Sequence, residues 1–206
     1  GTMPYVNGIV GERWLDRSSL RIVNCVEDHK YQGVYTNAPM SPVRLKAITV
    51  TDEMKRATRG NAIVCSIAPD EDVAVLAGGH AADEVLWKNN ITGYWCSSSY
   101  YGLYPSWAAD KNKEVHGRSS KWEPLLEVEK YNNFGEEAPD AFSYSFNGLK
   151  NIREYKTTAC VNDEINEMAK AYLESSLAGQ DDIADCLSLT YYAGNYNGQS
   201  MEERPI

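Results

Sequence analysis

The sequence has no surplus of positive charge, no C-x-x-C pair and no apolar run long enough to cross a membrane. Its 206 residues carry 20 Lys and Arg against 29 Asp and Glu, a formal net charge of −9. That balance argues against nucleic-acid backbones and anionic membranes as general partners. A membrane span needs about 18 or more consecutive apolar residues, and no stretch approaches that length. The five cysteines (Cys25, Cys65, Cys96, Cys160, Cys186) are an odd number at unpatterned spacings, which excludes a zinc ribbon or a thioredoxin motif. Histidine is scarce. No carboxylate or cysteine pattern around His29 or His116 fits a metal site. No signal peptide is visible. The opening Gly1-Thr2-Met3-Pro4-Tyr5-Val6-Asn7-Gly8-Ile9-Val10-Gly11 reads as the interior of a domain, so a piece of a longer protein is expected.

What is present belongs to a globular chain. Apolar residues make up 43%, too many for a disordered segment. A chain of this length can bury roughly 70% of its unfolded surface, so a single domain over 1–206 is expected. Cys65 and Cys186 lie in apolar runs, where a free thiol acts as a small hydrophobe. Cys160 precedes a helix start, where a thiol pKa can be lowered, so a thiol-dependent activity is one candidate function.

The clearest helix spans Asp163 to Ala178, with Asn162 as N-cap, Asp163 and Glu164 at the positive end of the dipole and Gly179 as the stop. Ile165, Met168, Ala169, Tyr172 and Leu173 form one apolar stripe. Ile183 to Tyr192 reads as a covered strand, as does Ala62 to Ala68 after a helix near Val50 to Thr58. Two helix-then-strand units predict an α/β fold with a largely parallel sheet, its core units at 61–110 and 160–200. Between them, Glu84 to Ser99 is a hairpin candidate, turning at Asn89-Asn90-Ile91-Thr92-Gly93 with Trp87 and Trp95 on its strands. Asn90-Ile91-Thr92 also fits a glycosylation sequon. Residues 111–156 are polar, with Pro124 and Pro139, and read as an irregular insertion.

Several blocks carry a resemblance. Asn7-Gly8-Ile9-Val10-Gly11-Glu12-Arg13-Trp14 with Asp16-Arg17 comes first. The run from Ile67 through Leu76-Ala77-Gly78-Gly79-His80-Ala81 to Trp107 follows, then Trp122-Glu123-Pro124-Leu125-Leu126, then Leu187 to Ser200. In this order they resemble the alkaline phosphatase superfamily, nearest to bacterial phosphate-irrepressible alkaline phosphatases and type I phosphodiesterase/nucleotide pyrophosphatases. The resemblance implies an alkaline-phosphatase-like fold, here partial. It also implies a chemistry built on two zinc ions, a Thr or Ser nucleophile and donors that hold the phosphoryl oxygens.

The same resemblance shows what this chain replaces. The nucleophile would lie upstream of Gly1. The family's Asp and His zinc ligands of D-Y-x-G-H correspond to Asn195 and Gln199, and a neutral amide is a poor zinc ligand. Glu12 stands where the phosphomonoesterases have Asn. Asp70 and Asp72 stand where they place Lys and Arg, and no Lys or Arg lies between Gly60 and Trp87. A unit-charge pair at about 4 Å interacts by about 4 kcal/mol at an effective dielectric of 20, so acids there repel a phosphate dianion. Glu12, Asp70 and Asp72 are therefore expected as vestigial phosphate positions, and Asn195 and Gln199 as vestigial metal positions. Asp70-Glu71-Asp72 also reads as a solvated turn, or as an oxygen-rich loop for a hard cation such as calcium. His80 reads as a packed, hydrogen-bonded structural histidine.

The expected function is a phosphatase-derived domain, inactive in this chain and without a cofactor, that binds a small molecule or a protein. The alternative is a fragment of an active zinc-dependent phosphodiesterase or phosphatase whose nucleophile lies upstream. Resemblance alone implies a periplasmic or cell-surface address.

Overall fold

The computed structural model describes residues 2–114, 119–130, 142–147 and 151–192. The chain begins with the short helix α1 (Pro4–Asn7) and the hairpin β1 (Arg13–Asp16) and β2 (Arg21–Asn24), then the short strand β3 (Gly33–Val34). Next come α2 (Val50–Ala57), β4 (Val64–Ala68), α3 (Glu71–Gly78), β5 (Glu84–Lys88), β6 (Trp95–Ser98) and α4 (Ser106–Glu114). Strands β7 (Ser119–Trp122) and β8 (Tyr144–Asn147) form their own antiparallel ladder, followed by α5 (Ile152–Lys156), α6 (Cys160–Ser175) and β9 (Cys186–Leu189).

The central sheet has the order β3-β6-β5-β4-β9. Its β9-β4-β5 half is parallel, as the two helix-then-strand units predict. The tight turn after β5 reverses the chain, so β6 and β3 run antiparallel and the sheet is mixed. Strand β4 is buried on both faces and its side chains alternate between two cores. Cys65 and Ile67, with Leu86 and Trp95, pack under α6 and α4. Ala68, with Val85, Trp87 and Cys96, packs under α3. The two tryptophans of the hairpin thus serve opposite faces of the sheet, which the period of two requires.

Four expectations about elements change. Helix α6 starts at Cys160, two residues before Asn162, and the Thr158 hydroxyl oxygen accepts from the Cys160 N–H at 3.3 Å. Asn162 is left free to hold the backbone of Tyr192 instead. The helix ends at Ser175, and Gly179 (φ +73°) serves the following turn, where its N–H donates to Asp185. Strand β9 is shorter than Ile183 to Tyr192 and only half-buried, because it closes the sheet among the described residues. Leu173 falls on the rim of α6 at 51% exposure, while Ile165, Met168, Ala169 and Tyr172 are buried. Ile165→Val should therefore cost about 0.5–1.5 kcal/mol in denaturant unfolding, and Leu173→Ala no more than about 0.5 kcal/mol. A Leu173 variant as costly as a core truncation would put the stripe back where periodicity alone placed it.

Among their described residues, 111–156 include regular elements: the end of α4, the β7–β8 ladder, a 3₁₀ turn at Val128–Lys130 and α5. Trp122 and Phe146 from that ladder join the α6 core.

Candidate functional site

The site forms where β4 and β9 end. Strand β4 delivers Pro69 and Asp70, and α3 begins at Glu71, so Asp70-Glu71-Asp72 is a helix start and not a solvated turn. Acids at the N-cap and in the first turn complement the helix dipole, followed by the apolar Val73-Ala74-Val75-Leu76. Asp70 has the extended backbone of an N-cap residue (φ −116°, ψ 150°), yet its side chain caps nothing in α3. One carboxylate oxygen lies 2.6 Å from Lys156 Nζ. The other accepts from the Tyr192 hydroxyl.

Tyr192 is held in place from behind. Asn162 Nδ2 donates to its carbonyl at 2.7 Å, and its N–H donates to Asn162 Oδ1 at 2.9 Å. Burial first, and then the Asp70 charge beside it, push its phenol far above the ordinary range. Lys156 is 2% exposed and reaches the site from α5, donating also to the Lys88 carbonyl at 2.9 Å and Asn90 Oδ1 at 2.5 Å. Asn90 is thereby tied into the site. The turn itself is held by Asn89 Oδ1, which accepts from the N–H groups of Ile91 and Thr92.

These groups border a pocket of about 200 Å³, lined by Glu12, Arg13, Asp70, Glu71, Asp72 and Tyr192 together with Val73 and Asn90. Glu12, Asp70 and Asp72 thus meet in one place, although Glu12 comes from the segment before β1. Glu12 pairs with Arg13 at 3.4 Å, both largely exposed, a contact worth little in water. Asp72 is pushed up by burial and then by the charges of Asp70 and Glu12. The neighbouring Cys25 thiol is pushed up to about 11, by burial first and then by Asp72. Asn195 and Gln199 lie outside the described residues, as does His116. Tyr192, three positions before Asn195, already forms part of the pocket wall.

Among the described residues, the pocket offers carboxylates without imidazole or thiolate, and both oxygens of Asp70 are engaged. Among the described residues no three His, Cys, Asp or Glu side chains come together to hold a metal ion.

Sequence reading missed Lys156. The cation that neutralises Asp70 comes from a helix far downstream, and no local pattern points from one to the other. A larger cavity, about 530 Å³, lies between α4, α6 and β7 and is bordered by Lys111, Lys121, Tyr155, Cys160, Asp163 and Glu167. None of Glu12, Asp70 and Asp72 reaches it, so the smaller pocket is the candidate site. Cys160 does open α6, but burial pushes its thiol up, the reverse of activation.

His80 is built into the frame. Its Nδ1 lies 2.8 Å from Asp52 Oδ2 and its Nε2 2.8 Å from the Leu45 carbonyl. The N–H groups of His80 and Ala81 donate to Asp52 Oδ1 at 2.7 and 2.9 Å. Gly79 makes this approach possible. Its φ is +77°, and a Cβ there would sit 2.2 Å from Thr49 Oγ1.

No family model matches the chain. It is 32% identical to the alkaline phosphatase PhoV of Synechococcus elongatus over 98% of this chain and 41% of that protein. It is 27% identical to the alkaline phosphatase PafA of Elizabethkingia meningoseptica over 100% of this chain and 42% of the relative. The crystal structure of wild-type PafA superposes with a TM-score of 0.78 at 26% identity, covering 98% of this chain and 43% of that one. The chain therefore spans about two fifths of the length of these relatives.

Proposed function

We propose that this chain, which belongs to the alkaline phosphatase superfamily, is a phosphatase-derived unit that binds a ligand or a protein partner and does not itself hydrolyse phosphate esters. One observation carries the reading. The three positions where the family resemblance puts phosphate-holding groups converge on a single pocket, and all three are acids. At the C-terminal ends of parallel strands an α/β sheet ordinarily receives its ligand. Here the same place presents Glu12, Glu71 and Asp72 to whatever enters. A phosphate dianion meets repulsion, and an amine or another cationic group fits better. The buried Lys156 ammonium faces Asp70, and the cation that lines the pocket itself, Arg13, pairs with Glu12. The relatives' kinship supports an exported, periplasmic or surface address.

Purified tag-free protein should give no turnover of an aryl phosphate or an aryl phosphodiester above buffer, and well under one zinc per chain by metal analysis. Uncatalysed phosphate-ester hydrolysis is so slow that even a crippled site stands out from background. Turnover that co-purifies with the chain and is abolished by Asp72→Ala or Glu12→Ala would overturn the reading. So would stoichiometric zinc that survives chelation.

A further inference from the structure

The pairing at Asp70 has a chemistry of its own. An ammonium has three protons to donate and no acceptor. Lys156 gives one to the Lys88 carbonyl and one to Asn90 Oδ1, both parts of the protein frame. The third points at Asp70 Oδ1, and the Tyr192 hydroxyl donates to the other oxygen. A buried cation and a fixed hydroxyl aimed at two oxygens of one carboxylate constitute an anion-binding set. Tyr192 is fixed because Asn162 holds its backbone on both sides. Asp70, in contrast, has somewhere else to go. It occupies the N-cap of α3 with suitable backbone angles and leaves that helix without a side-chain cap. An N-cap aspartate ordinarily accepts from the second or third N–H of its helix.

We infer that the Lys156 ammonium and the Tyr192 hydroxyl are an anion site occupied from within, Asp70 being the resident carboxylate that keeps other anions out. The inference rests on the proposed lack of phosphatase function only in placing this site at the pocket. The donors come from α5 and the end of β9, and the occupant comes from the loop between β4 and α3. With Asp70 in place both donors are filled, and an outside anion enters only where the Asp70 carboxylate has been removed. The ligand class follows from the surroundings. Glu12, Glu71 and Asp72 oppose a dianion more strongly than a monoanion, so a small carboxylate is favoured over phosphate.

Asp70→Ser tests this. Serine is a good N-cap, so α3 keeps its start while the resident carboxylate is gone. In chloride buffer the variant should melt below the wild type. Formate or acetate at matched ionic strength should raise its melting temperature saturably, by about 3–6 °C at roughly ten times the dissociation constant. Inorganic phosphate should act more weakly. The wild type should respond to formate no more than to chloride, and Asp70→Ser combined with Lys156→Met should not respond at all. A single variant indifferent to formate would overturn the inference, as would a wild type that responds equally. If Asp70→Ser does not fold in chloride, its refolding yield in formate decides: a higher yield supports the site and an equal yield refutes it. Hydrolysis of an aryl phosphate by the wild type would defeat the proposed function and leave this melting result untouched.

Discussion

Glu164→Ala is expected to lower the unfolding free energy by about 3–5 kcal/mol, the range for breaking a buried ion pair from one side. The Glu164 carboxylate lies 2.5 Å from Lys88 Nζ and accepts from the Tyr155 hydroxyl at 2.7 Å. Both charged residues are almost wholly enclosed, Lys88 at 1% exposure and Glu164 at 6%. Lys88 also donates to the Gly93 carbonyl and lies over the rings of Trp95 and Tyr155, so its ammonium is fixed at the base of the β5–β6 turn. Removing the carboxylate strands that ammonium away from water, and the penalty is its desolvation more than the lost contact. Lys88→Met alone should be costly for the mirror reason. The double variant Lys88→Met with Glu164→Leu should recover most of the loss, since an apolar pair of similar volume often matches a buried ion pair. Urea unfolding of the four species gives the coupling directly. A double variant that loses the sum of the two singles would show that the residues act independently and that the pair is not the unit.

This pair also marks the limit of what the sequence discloses. The helix at Val50–Ala57, the Trp87/Trp95 hairpin and the buried face of α6 are written locally, in caps, turn residues and periodicity. The sheet's parallel half follows from the alternation of helix and strand. Glu164 reads as a dipole-complementing acid at a helix start, whereas it is the partner of a lysine on another element. Asp70 reads as a missing cation, whereas Lys156 supplies one from α5. Pairings of this kind are made by the tertiary fold between segments distant in sequence, and no spacing rule encodes them. Leu173 shows a milder failure. At i+8 the stripe has drifted to the helix rim, and α6 has no neighbour there among the described residues to cover it. The start of α3 was legible in principle, since Asp70, Glu71 and Asp72 before an apolar run are a helix-start signature. The same three acids also have the composition of a solvated turn, so local sequence leaves both readings open. Glu12, Asp70 and Asp72 nonetheless converge, Asp70 and Asp72 after β4 of the central sheet and Glu12 before the separate β1–β2 ladder.

Asp52→Ala should cost about 2–4 kcal/mol at neutral pH, with a dependence on pH that a packing defect would not show. The Asp52 carboxylate joins three segments. It completes the capping box of α2 by accepting from the Thr49 N–H at 3.0 Å, while its own N–H donates to Thr49 Oγ1. It receives the N–H groups of His80 and Ala81 from the turn after α3, and it holds the His80 ring, whose other nitrogen meets the Leu45 carbonyl. Without it several part-buried donors lose their acceptor together. Burial by itself would raise the Asp52 carboxyl, and the hydrogen bonds from His80, Thr49 and Ala81 outweigh that and hold it below the usual carboxylate range. A folded-state pKa below the unfolded value of about 3.9 means stability that is complete above that value and lost as pH falls through the folded pKa. The gap between wild type and Asp52→Ala should therefore be constant from neutrality down to about pH 5 and close progressively below about pH 4. Urea unfolding of both proteins at a series of pH values measures it. A gap that stays unchanged at pH 3 would mean that Asp52 contributes by filling space and that its charge does not join the three segments.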